Sequence, residues 1–132
     1  MIARPVFLTF DDVLDIHELQ LKYYGGSAGA RDLGLLDSAV MTPQATFDGK
    51  YVHNGIFEMA AAYAFHISEN QPFIDGNKRT ALAAALVFLD INGYELLDPK
   101  RVLYQAMIDV SAKRVTKSKL ANLFSTLLIT SE

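Results

Sequence analysis

Two apolar runs separated by a short polar stretch dominate the pattern of this chain. In the first, Ile56, Met59, Ala60, Tyr63, Ala64 and Ile67 recur at the spacing of one helical face, and Phe57, Ala61 and Phe65 carry apolar cover around it. A helix patterned this way is enclosed on most sides. The second run, Ala81 to Leu89, holds no charge before Asp90 and meets Asn92-Gly93, a pair suited to the left-handed residue that ends many helices. Pro72 closes the first run, because its ring disfavours helical geometry at Gln71 and it has no N–H to donate.

The flanking segments repeat the helical period. Thr9 ahead of Asp11 and Asp12 predicts a helix from Phe10 to Tyr24, with Val13, Leu14, Ile16 and Leu21 turned inward and Gly25-Gly26 as its stop. Val6-Phe7-Leu8 before it predicts a short edge strand. Asp32 predicts the cap of a second helix reaching Met41, where Thr42-Pro43 breaks it. Between residues 44 and 53, Thr46, Phe47, Tyr51 and Val52 surround Asp48-Gly49, so a small β-hairpin and a plain connecting loop both fit.

Beyond the central pair, Leu97-Asp98-Pro99 predicts a helix with proline at its first position, running to Ala112 on Val102, Leu103, Ala106, Met107 and Val110. A last helix from Lys117 to Ile129 is expected to bury Leu120, Leu123, Phe124, Leu127 and Leu128, with Lys117 and Lys119 facing water. The expected fold class is all-α, about six helices with one small β-hairpin.

Composition narrows the class. With 132 residues, 51% hydrophobic and 20% charged, the chain reads as one globular domain over residues 1–132. Cysteine is absent, which removes disulfides and thiolate chemistry and suits a cytoplasmic location. No apolar run is long enough to cross a bilayer, so a membrane partner is not expected. A net charge of −3 and a pI near 5.5 argue against direct nucleic-acid binding, which favours a basic surface.

Candidate chemistry concentrates between the two central runs, in Asn70-Gln71-Pro72-Phe73-Ile74-Asp75-Gly76-Asn77-Lys78-Arg79-Thr80. This loop feeds a helix start, where unpaired amides and the backbone dipole favour an anion. Gly76 permits close backbone approach, Asn77 is suited to capping, Lys78 and Arg79 add positive charge, and Asp75 is a hard oxygen ligand for a magnesium ion (Mg2+) bridging phosphates. The four residues Gly-Asn-Lys-Arg alone also fit an ordinary solvated turn.

The longer stretch from Gln71 to Arg79 resembles the signature loop of the Fic/Doc (Fido) family, His-x-Phe-x-Asp/Glu-Gly-Asn-x-Arg. His17, Tyr24-Gly25-Gly26, Arg31-Asp32, Leu35-Leu36, Ala39, Pro43 and Phe88-Leu89 with Asn92-Gly93 are similar to the small death-on-curing branch, so the resemblance spans nearly the whole chain. It implies a Fic-type helical bundle with a hairpin flap at residues 44–53 on which a protein substrate docks. It also implies magnesium at Asp75, ATP phosphates on Gly76, Asn77, Lys78 and Arg79, and transfer of AMP or phosphate to a protein hydroxyl. Lys78 resembles the phosphate-transferring branch. As half of a toxin–antitoxin pair, such a protein is restrained by an antitoxin-like segment that folds on binding, here expected near Arg79. The built-in inhibitory motif Ser/Thr-x-x-x-Glu-Gly/Asn of many Fic enzymes is lacking, since Phe65 precedes Glu69-Asn70 at the hydroxyl position.

One position departs from the family pattern. Gln71 stands where the family has its proton-accepting histidine, and a glutamine amide is no base near neutral pH. Two readings follow: an impaired transferase, or a non-catalytic module that binds nucleotide or protein. Rescue by His53, beside the flap, or by His66, five residues before Gln71 and about 7.5 Å back along a helix, is a third. His17 is read as a structural residue or a ligand, and Arg31 as a surface charge or a second phosphate contact.

Overall fold

The computed structural model describes residues 4–131. The first helix, α1 (Phe10–Tyr24), begins with a reciprocal cap in which Thr9 accepts from the Asp12 amide and Asp12 accepts from the Thr9 amide; Gly25, at φ 80°, ends it. Asp32 caps α2 (Leu33–Met41) by accepting from Leu35 N, and a 3₁₀ turn over Thr42–Gln44 follows with Pro43 buried. The hairpin exists: β1 (Thr46–Phe47) pairs antiparallel with β2 (Lys50–Tyr51) across Asp48 and Gly49, both at positive φ.

Through the centre runs α3 (Ile56–Asn70), buried from Met59 to Ala64, and against it lies α4 (Asn77–Ile91). Alanines at 60, 61, 64, 81, 84 and 85 are fully buried, and such small side chains let helix backbones approach closely. Tyr63, Phe73, Phe88 and Phe124 fill the larger volumes of the core. After β3 (Tyr94–Leu96) come α5 (Val102–Ser111), α6 (Lys117–Thr126) and β4 (Leu128–Ser131), which pairs antiparallel with β3.

Three expectations need correction. Val6 to Leu8 form no strand: side chains bind their backbone instead, with Leu8 N donating to the Tyr63 hydroxyl at 2.9 Å and Asn92 bonding both polar groups of Val6. The fifth helix starts at Val102, three residues past Pro99, because the Asp98 carboxylate accepts from Val102 N and Leu103 N and so caps from further upstream. The sixth ends at Thr126, not Ile129. Ser125 and Thr126 turn their hydroxyls back onto the carbonyls of Asn122 and Leu123, and the next residues satisfy their backbone on the edge of β3. Among the described residues no helix is long and apolar enough to cross a membrane.

Candidate functional site

The loop between α3 and α4 is held from three directions. Gln71 ends α3 in the left-handed conformation (φ 46°, ψ 56°), its amide donating to Ile67 O. The Arg31 guanidinium donates to the carbonyls of Gln71 and Asn70, both at 2.8 Å, and so places a cation on the negative end of the α3 dipole. Backbone pairing of residues 29–32 with Pro72 and Ile74 lies alongside, and Asn70 reaches Leu35 O. Arg31 therefore acts as a structural clamp through two donors on backbone carbonyls, and it does not line the cavity described below.

His17 secures the next turn. Its ring stacks on Phe73 with centroids 3.7 Å apart, and Nε2 donates to Asp75 O at 2.8 Å. It is buried and serves the loop's geometry. Asn77 does not cap α4, contrary to expectation. It is the first helical residue, and its side-chain amide closes the loop by bonding both N and O of Phe73 at 3.0 Å, while Gly76 at φ 76° takes the cap position. No side chain satisfies the first amides of α4.

These constraints bring Gln71, Asp75, Gly76, Asn77, Lys78 and Arg79 to the wall of one cavity of about 370 Å³, together with Tyr24, Gly25, Gly26, Ser68, Ile74 and Tyr104. Asp75 accepts from Ser27 N at 3.1 Å and Gly76 N at 2.9 Å, which fixes its carboxylate beside Gly26. No cluster of three potential metal-ligating side chains occurs among the described residues. A single carboxylate suits magnesium, which keeps most of its shell as water and phosphate oxygens. Uncapped helix amides and two cations are donors suited to a polyphosphate, and the carboxylate is suited to a metal ion that accompanies it.

Tyr24 and Tyr104 were not nominated by sequence reasoning. Tyr24-Gly25-Gly26 entered only as a helix stop and as part of the family resemblance, with no role given to Tyr24, and Tyr104 lies off the apolar stripe of α5, on what spacing alone reads as an outer face. Around them the Arg79 guanidinium carbon lies 3.9 Å from the Tyr24 ring centre and 4.4 Å from that of Tyr104.

Neither histidine offered for rescue lines the cavity. Both accept from the Lys117 ammonium, His53 Nε2 at 2.9 Å and His66 Nε2 at 3.0 Å, so Lys117 is half-buried rather than water-facing. Burial, then the Lys117 charge, then His53 push the His66 imidazole down to about 4; burial and then Lys117 lower His53. Glu69 pairs with Lys113 at 2.6 Å.

The Fic/DOC family model matches residues 7–89, which include α1 to α3, the whole loop and α4 as far as Leu89. The chain is 43% identical over 90 residues to Toxin Doc of Mycolicibacterium smegmatis, covering 68% of this chain and 67% of that protein. It is 32% identical over 88 residues to Protein kinase doc of Escherichia phage P1, covering 67% of this chain and 69% of that one.

Proposed function

The chain belongs to the Fic/DOC family, in its death-on-curing toxin branch, and on that premise we propose that the loop cavity binds ATP with magnesium and transfers the terminal phosphate to a hydroxyl of a target protein, at a rate limited by Gln71. The observation that carries this reading is the convergence, on one wall, of Asp75, the uncapped start of α4, Lys78 and Arg79. Helix amides and the two cations hold the phosphate chain and oppose charge that grows in the transition state, which supplies much of the catalysis in phosphoryl transfer. Magnesium, held at Asp75 when bound, neutralises the phosphates. Lys78 and the relative titled a protein kinase favour phosphate over AMP.

Gln71 occupies the position from which a base would take the hydroxyl proton. Its backbone carbonyl is fixed by Arg31, and no imidazole lines the cavity, so no other histidine stands in for the base. That observation favours the second reading, a nucleotide- or protein-binding module without turnover.

Two surfaces suit protein partners. The hairpin is short and exposed, with Phe47 80% accessible, and can pair with an extended segment of a substrate through its main chain. A groove of about 630 Å³ between α1, α4 and α5, floored by Leu82, Ala83, Leu86 and Leu103, joins the cavity at Tyr24, Arg79 and Tyr104. Its apolar floor suits the antitoxin segment, folding as it docks.

The test compares the protein with Gln71→His, each supplied with magnesium, cell extract and ATP labelled on the α- or γ-phosphate. Label from the γ position appears in one protein band, on the order of 10²–10⁴-fold faster with histidine. Comparable labelling by both forms overturns the role given to Gln71. Label from the α position makes the reaction AMP transfer, and no labelling by either form favours the binding module.

A further inference from the structure

Arg79 is one of the two cations of the proposed phosphate site, and its surroundings are unusual for a half-buried arginine. Among the described residues no carboxylate pairs with it; the two ion pairs present join other residues. It contacts two aromatic rings instead, one at the last residue of α1 and one on α5, with its own Cα in the first turn of α4. A guanidinium held by its faces keeps its N–H donors, which lie in its plane, free for other acceptors. A carboxylate partner would occupy those donors and cancel the charge. An unconstrained arginine would lose rotamer freedom each time a ligand bound.

We infer that Tyr24 and Tyr104 are positioning residues that hold Arg79 by its faces, charged and with its donors unspent, ready for a phosphate group of the nucleotide. The inference rests on the ATP reading above and adds two residues that the signature loop does not contain. Three elements meet at this clamp, so the end of α1 and the body of α5 set the geometry of an arginine on α4. The aromatic face is the working part, and the tyrosine hydroxyls are not needed for it.

The experiment measures calorimetric binding of ATP with excess magnesium to the full chain, to Tyr104→Phe and to Tyr104→Leu, each also combined with Arg79→Ala. Circular dichroism checks folding. In parallel, the Arg79 Nε–Hε signal in nitrogen–proton NMR spectra reports whether the guanidinium lies against rings, because ring currents move that proton upfield. Phenylalanine is expected to keep affinity within about twofold and to keep the shifted signal, whereas leucine weakens binding on the order of tenfold and returns the signal downfield. In the Arg79→Ala background leucine then costs nothing more.

An equal loss with leucine in both backgrounds overturns the inference, since the ring would then be touching nucleotide itself. So does an unchanged affinity with leucine, or a loss with phenylalanine equal to that with leucine. Absence of ATP binding by the unsubstituted protein, with the Arg79 signal still shifted upfield, overturns the nucleotide reading and with it the assigned purpose of the clamp. That failure is told apart from an absent clamp by the position of the NMR signal.

Discussion

At the scale of single residues, Gly26 shows how closely the site is built. A Cβ there would stand 2.9 Å from Asp75 Oδ2 and 3.1 Å from a Leu21 methyl, and the backbone lies at φ 119°. Gly26→Ala is expected to displace the Asp75 carboxylate and weaken magnesium-dependent ATP binding, and also to cost about 1–3 kcal/mol in urea unfolding. Gly49→Ala is the control. It shares a positive φ, at 76°, but would meet nothing within 4 Å, so it should cost only about 1 kcal/mol and leave nucleotide binding unchanged. Equal effects of the two on binding would show that Asp75 does not depend on Gly26. The position of the loop at a helix start was legible because Pro72 and the apolar runs around it are local signals, and the structure brings its glycine, two cations and carboxylate to one cavity wall. Asn77 was misread, since its partners at Phe73 depend on a loop closure that spacing cannot report.

At the scale of elements, helix starts with an adjacent capping side chain were read correctly, at Thr9 and Asp32, and of the two readings that fitted residues 44–53 the hairpin turning at Asp48-Gly49 is the one formed. What failed were ends decided by distant partners. The strand Leu128–Ser131 exists because β3 offers an edge more than thirty residues earlier, and that pairing leaves no periodic trace in the last helix. Arg31 belongs to the same class: nothing in its neighbourhood predicts that it will cover the end of α3 forty residues on. Arg31→Ala should therefore destabilise the fold by about 1–2 kcal/mol, through two lost charge-assisted hydrogen bonds at an exposed helix end. Arg31→Lys should recover only part of this, because an ammonium lacks the planar fork that serves both carbonyls. Urea midpoints check both. A full recovery by lysine would mean that charge alone, and not the fork, holds the loop.

Across the whole molecule, distant parts of the chain meet at His53, His66 and Lys117, joining the segment after the hairpin to α3 and α6. Net charge gave no hint of this cluster, since each member reads in isolation as an ordinary surface or helical residue. Its pH behaviour follows from the direction of the shifts. In the folded chain His66 is held to about 4 by burial, by Lys117 and by His53, with Glu69 opposing, while Glu58 opposes the shifts of His53 and Lys117. In the unfolded chain the imidazole returns to its ordinary value of 6.5. As pH falls below that value the unfolded state takes up protons first, so stability contributed by the neutral histidines is fully present above it and is lost on the way down to about 4. Melting temperature should fall across that window. His66→Gln, which keeps an acceptor for Lys117 and cannot titrate, should flatten the fall, while leaving stability near neutral pH within about 1 kcal/mol of the starting protein. A slope unchanged by His66→Gln would place the acid sensitivity in other groups, and His53→Gln would then be the next variant to compare. Because the cluster lies outside the loop cavity, the ATP binding proposed for that cavity should be unchanged in His66→Gln at neutral pH, which separates the stability of the frame from the site it carries.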